Sequence, residues 1–222
     1  MAKFVTILLV FLAVSAFSAN IGKANVDLDG SAVKVQETNL GNFVADALRD
    51  ASGADVALIH ATAFRENAKI PAGDIDDQQV RSLLTLATDK VILLKLSPRK
   101  LKEVMERAVG KYPGPNVSML QISGMKVMFD QNLPARARIL SITIGDTKVA
   151  LDNDTAAYNV AMPASLAKGA VGYILDFDEK VTKSMVVKDT TMYDVIAQTL
   201  AKNTGGVSTA VEGRMSTLPP KK

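Results

Sequence analysis

The sequence predicts a mixed α/β domain in which helices cover the faces of a sheet. Three observations carry this expectation. In the first half, segments with helical periodicity alternate with short apolar runs. In the second half, apolar runs succeed one another with glycine-containing turns between them. The chain has 222 residues, 48% hydrophobic and 22% charged, which suits a globular protein with a sizeable core and excludes a disordered or collagen-like one.

The elements follow in order. Lys3 and the apolar run Phe4 to Phe17 read as an export signal over residues 1–19, with small residues at Ala16-x-Ser18 and Gly22-x-Ala24 as two cleavage sites. The run is short for a spanning helix, which favours a cleaved signal over the alternative of an uncleaved anchor, and no membrane span is expected after signal cleavage. In "VQETNLGNFVADALRDASGAD" the residues Leu40, Phe43, Val44, Ala47 and Leu48 share one helical face, and Gly53 stops the helix. Ala54 to Ile59, "ADVALI", reads as a buried strand, and a loop follows from His60 to about Gly73. A second helix starts at Asp76 or Asp77, with Val80, Leu83 and Leu84 inward. "DKVILLKL" is a strand. Ser97-Pro98 then caps and opens a helix with Leu101, Val104, Met105, Ala108 and Val109 on its apolar face.

Beyond the turn-rich "YPGP", Ser123-Gly124 and Gly145-Asp146 each read as a hairpin turn between apolar runs. "AYNVAMP" is a further strand, and a loop or short helix spans Ser165 to Tyr173. Asp189 reads as the cap of a last helix, and "TAVEGRMST" as a final strand.

Composition narrows the chemistry. Without cysteine there is no disulfide, thiolate nucleophile or zinc finger, and with His60 as the sole histidine no centre needing two imidazoles can be built from this chain. A net charge of +3 does not argue for nucleic acid.

Five stretches in order point to one family. "ETNLGNFVADALRDASGADVALIHATAFR", "GDIDDQQVRSLL", "SMLQISGMKVMFD", "LAKGAVGY" and "AVEGR" together resemble the C-terminal, substrate-binding domain of the 5'-nucleotidase family, from about Glu37 to Arg214. The resemblance implies a four-layer α/β/β/α domain over residues 20–222. It also implies that hydrolysis belongs to a metallophosphoesterase domain carrying two divalent metals. No such segment is legible here, so the expected cofactors in this chain are none. A separate exported metallophosphoesterase is the expected partner, a small anion or phosphoester the expected ligand, and the periplasm or exterior the expected location.

The resemblance also places the site. Arg65 matches the family's phosphate-contacting loop arginine. The glycine-rich loop is replaced by His60, Ala61, Thr62 and Ala63; a further family arginine appears as Gln36, the two base-stacking aromatics as Leu86 and Ser165, and an aspartate as Val171. Loss of both rings removes about 1–3 kcal/mol of stacking per base, which implies an anion site without base selectivity.

Each candidate has two readings. Arg65 follows a buried strand, where open α/β sheets bind ligands; it either forks an anion or pairs with Glu66, Asp74, Asp76 or Asp77. His60 either contacts a ligand or satisfies a backbone carbonyl. Tyr173 is either an aromatic wall of the pocket or a core residue. Asp74 to Asp77 either bind calcium or cap a helix. Lys100, Lys102 and Arg107 read as a solvated helix face, and nothing pairs Ser123 with His60. Whether the domain is a binding module or a structural envelope protein that kept the fold stays open at this point.

Overall fold

The computed structural model describes residues 19–177 and 182–221. The expected export signal, but for Ala19, lies outside the described residues. In chain order the elements are β1 (Asn20–Ala24), β2 (Leu28–Asp29), α1 (Asn39–Ser52), β3 (Val56–His60), β4 (Lys69–Ile70), β5 (Gly73–Asp76), α2 (Asp77–Leu83), β6 (Lys90–Leu96) and α3 (Pro98–Ala108). They continue as β7 (Leu120–Ser123), β8 (Met125–Asp130), β9 (Ile139–Ile144), β10 (Thr147–Lys148), β11 (Tyr158–Pro163), α4 (Ala164–Ala167), β12 (Val186–Thr191), α5 (Met192–Lys202) and β13 (Met215–Leu218).

Two sheets organise the molecule. A five-stranded sheet runs β12-β6-β11-β3-β7 and a four-stranded sheet β10-β9-β8-β13. β3 is buried along its whole length because it has a core on each side. Ala57 and Ile59 face one core with Leu40, Val44 and Leu48 of α1 and Ile196 and Leu200 of α5. Val56 and Leu58 face the other with Val127, Phe129 and Ile142 of the smaller sheet and Leu101, Val104 and Met105 of α3. The two-residue side-chain period of a strand makes this double burial possible. The molecule is thus the expected mixed α/β domain: α1 and α5 cover one face of the large sheet, and the small sheet and α3 pack together on the other, α3 touching both β6 and β9.

Local signals account for most boundaries. Thr38 Oγ1 accepts from Gly41 N at the start of α1, and Gly53, at φ 68°, ends it. Asp76 and Gln79 form a reciprocal capping box on α2, so the acidic run caps a helix. Ser97 caps α3 with Pro98 in the first turn.

Two expectations are corrected. Ser123-Gly124 does not close a hairpin: β7 pairs with β3 in the large sheet, whereas β8 pairs with β9 and β13 in the small one. The chain changes sheets at Gly124, which takes φ +78° and passes so close to β3 that an added Cβ would lie 2.0 Å from the Asp55 carbonyl oxygen. The last helix is capped by Thr191 rather than Asp189. Asp189 lies in β12, an unforeseen edge strand, and pairs with Lys90 at 3.0 Å. The turn at Gly145-Asp146 does form the expected hairpin, between β9 and β10.

Candidate functional site

His60 is the last residue of β3, in the large sheet, and a 3-10 turn over Ala61–Ala63 carries the chain away. His60 is buried, 5% exposed. Its two nitrogens meet hydroxyls: Nδ1 lies 2.8 Å from Thr62 Oγ1 and Nε2 lies 3.1 Å from Ser165 Oγ. Ser165 lies in α4, and its backbone N–H donates to the Asp89 carboxylate at 3.1 Å. Burial lowers the His60 pKa to about 4, against a smaller raising effect of Asp89. The imidazole is therefore neutral near pH 7 and a weak base. The Ser165–His60 contact is a hydrogen-bonded pair, ill matched to proton abstraction, which is most effective when the base titrates near the working pH.

Arg65 stands further along the same loop. Its backbone N–H donates to Leu83 O at 2.8 Å and its Nε to Leu84 O at 3.1 Å. Those two bonds fix the start of the guanidinium and leave its Nη groups without a partner among the described residues. Three of the suggested carboxylates are engaged elsewhere: Glu66 pairs with Lys34, Asp76 caps α2, and Asp77 pairs with Arg81. The fourth, Asp74, lies in β5 opposite Lys23 of β1.

Tyr173 is a core residue and presents no surface to a ligand. It is fully buried, its hydroxyl donates to Ser118 O at 2.7 Å, and its ring stacks on Phe177 with centroids 5.8 Å apart. Burial pushes its phenol well above the ordinary value. The reason is local: glycines at Gly169 and Gly172, with φ of 94° and 91°, and Val171 at φ 49° turn this segment inward beneath α3. The structure therefore keeps His60 and Arg65 on one loop and separates Tyr173 from them.

Two clefts lie elsewhere, and neither is lined by His60, Arg65 or Tyr173. One, of ≈ 980 Å³, runs along α3 and includes Lys102, Arg107 and Lys111. Arg107 is not part of a solvated face: it is half-buried, ion-paired with Asp176, and its guanidinium lies 5.5 Å from the centre of the Tyr173 ring. The other, of ≈ 380 Å³, is lined by Asp46, Ser123 and Arg214 among others. Ser123 Oγ donates to Asp46 Oδ1, so Ser123 is engaged away from His60. Among the described residues no group of three or more acidic or histidine side chains is placed to hold a metal ion.

The sequence profile of the 5'-nucleotidase C-terminal domain matches residues 20–177. The chain belongs to this family. The trifunctional nucleotide phosphoesterase YfkN of Bacillus subtilis is 29% identical over 213 residues, covering 90% of this chain and 14% of that protein. The snake venom 5'-nucleotidase of Macrovipera lebetinus is 29% identical over 224 residues, covering 91% and 53%. In fold, the chain is similar to the 5'-nucleotidase precursor from Thermus thermophilus, with TM-score 0.80, 24% identity and coverage of 91% and 40%. It is also similar to the sulfate thiohydrolase SoxB of Thermus thermophilus, with TM-score 0.68, 14% identity and coverage of 91% and 36%. The chain spans about half or less of the length of these relatives.

The motifs by which the family is legible turn out to be fasteners. Glu37 of "ETNLGN" accepts the backbone N–H groups of Glu212 and Arg214 of "AVEGR", each at 2.7 Å, and the side-chain amide of Asn42 at 2.6 Å. Gln121 of "LQIS" accepts from Thr38 N at 2.9 Å and donates to Gln36 O at 2.9 Å. Arg214 is 7% exposed and forks Asp46 at 2.8 and 2.7 Å while also reaching Glu212 and Ile122 O. Three segments distant in sequence are thus tied together around α1, and these motif residues serve packing rather than chemistry. Sequence reasoning placed Ser165 only as the site of a lost aromatic and missed its bond to His60. Asp89 was missed altogether, because its position beside α4 depends on β6 and β11 being neighbours.

Proposed function

We propose that the chain is an exported, non-catalytic binding module that takes a small phosphate-bearing anion at the Arg65 loop. In this reading it is the recognition half of a phosphoester hydrolase whose two divalent metals reside on a separate exported metallophosphoesterase. The observation that carries the reading is the state of Arg65. It is held by the Leu84 carbonyl and has no carboxylate partner among the described residues. Leu86 is 54% exposed and supplies no ring for stacking, so bases are not discriminated. A forked, charge-assisted contact contributes about 1.5–3 kcal/mol, so the affinity is no tighter than roughly millimolar. The family membership and the relatives named as nucleotidases support the substrate class. The signal pattern of residues 1–19 supports export to the periplasm or exterior, and no helix among the described residues is long and apolar enough to cross a membrane.

The test is an NMR titration of the protein with inorganic phosphate, AMP and UMP, repeated on Arg65→Ala. The expected result is weak binding of all three with shifts at residues 60–65, absent in the variant, whose thermal unfolding is unchanged. Tight, base-selective binding overturns the degenerate-site reading, and binding unchanged in the variant overturns the role of Arg65.

A second reading is favoured by the location of the clefts, neither of which includes Arg65. It holds that the domain is a structural or adhesive envelope protein that kept the fold and lost the pocket. Absence of any phosphate response at residues 60–65 supports it.

A further inference from the structure

We infer that the ≈ 980 Å³ cleft along α3 is a second ligand site, distinct from the Arg65 loop, that takes an organic phosphate. The cleft is of the size that holds small molecules. Cations converge on it from three places: Arg99 and Lys102 from α3, Lys111 from the turn after it, and Arg136 from the loop between β8 and β9. Lys102, Lys111 and Arg136 have no hydrogen-bonding or ionic side-chain partner among the described residues. Arg99 uses one Nη group on the Asp152 carbonyl at 2.9 Å.

The carboxylates of the cleft are mostly committed. Glu103 pairs with Lys100 at 2.6 Å, and Asp176 with Arg107. Glu106, 5% exposed, takes the backbone N–H groups of Arg138 and Ile139, each at 2.9 Å. Among the described residues of the cleft, the Asp152 carboxylate alone is unpaired, against three unpaired cations. Clustered like charges without counter-ions repel one another, and an anion that bridges them relieves that repulsion. The two ammonium groups and the guanidinium fork offer many donors to the several oxygens of a phosphate. Leu175, 73% exposed, and Leu151 add an apolar wall where a carbon skeleton can lie. Arg136 is held at φ 72°, a backbone conformation that side-chain-bearing residues seldom adopt.

The inference is independent of the Arg65 reading, and the test separates them. The 15N-labelled protein is titrated with inorganic pyrophosphate and with phenyl phosphate, following backbone amides. Both probes should shift residues 99–111 and 135–136, with shifts and affinity retained in Arg65→Ala. In Lys111→Glu/Arg136→Glu, both on the exposed surface, affinity for both probes should fall at least tenfold with unchanged thermal unfolding. Leu175→Ser should weaken phenyl phosphate and spare pyrophosphate. No shift along α3, shifts that survive the charge reversal, or a loss caused equally by Arg65→Ala would each overturn the assignment. Equal effects of Leu175→Ser on both probes would overturn its organic part.

Discussion

The side chain of Gln121 occupies the space that a side chain at position 41 would need: a Cβ built on Gly41 lies 2.0 Å from Gln121 Oε1. The amide that fills this space is also the one that orders the entry to α1, through its bonds to Thr38 and Gln36. The glycine of the motif is therefore there for the approach of β7 to the helix, since its backbone is ordinary helix.

Gly41→Ala should destabilise the protein by about 2 kcal/mol, the scale of an overpacked core site, because Gln121 must leave its bonds to make room. Gln121→Ala should cost about as much by leaving buried backbone groups unsatisfied. The double variant should cost clearly less than the two added together, because the clash disappears with the amide. Urea denaturation of the four proteins measures this; strict additivity would contradict the contact.

Arg214 ties the last strand to α1 through Asp46. Arg214→Ala removes a mostly buried charge and leaves the Asp46 and Glu212 carboxylates and the Ile122 carbonyl without their donor. A loss of roughly 3 kcal/mol is expected, at the low end for breaking a buried pair because Asp46 is 38% exposed. Arg214→Lys keeps the charge but cannot make the fork, and should fall between. Equilibrium unfolding in guanidinium chloride gives both values.

His60 makes stability depend on pH. Its folded pKa of about 4 is below the ordinary value of 6.5, so the unfolded chain binds the proton more readily. Its contribution is complete above pH 6.5 and declines as pH falls toward 4, with a total of roughly 3 kcal/mol. Comparison of the wild type with His60→Gln between pH 4 and 7 isolates this effect from that of the carboxylates. The stability difference between the two should shrink on acidification through that window, and an unchanged difference would show that the ring is not held neutral by burial.

Val171 sits at φ 49° and ψ 33°, a left-handed conformation that is unfavourable for a β-branched residue. Val171→Gly should remove a strain of about 1–2 kcal/mol, partly offset by the greater freedom of glycine in the unfolded chain. A modest net rise in thermal midpoint is expected. A fall would mean that the side chain's packing in the second core outweighs its strain.

Much of the fold follows from local chemistry and is therefore readable in the residues themselves. The apolar stripe of α1, Gly53 at its end, the Ser97-Pro98 start of α3, the capping acid of α2 and the buried run before His60 each depend on neighbours within a few positions, so each was legible. The order of five short motifs was enough to indicate the family, and three of them hold the fasteners of the fold, Glu37, Gln121 and Arg214. Arg65 was legible as a candidate for a related reason: a loop leaving a buried strand at its carboxyl end is a local pattern.

Tertiary structure decided the rest. Glycine in a left-handed turn serves a hairpin and a change of sheet equally well, and only the approach of Asp55 to Gly124 makes the second possible. Alternation along β12 is weak because the strand is a half-exposed edge, so its identity rests on β6 beside it. The pairing of His60 with Ser165, 105 residues later, and the burial that keeps the ring neutral exist only once β3 and β11 lie side by side. The same holds for Tyr173, whose sequence suits a pocket wall or a core equally, until α3 and Phe177 close over it.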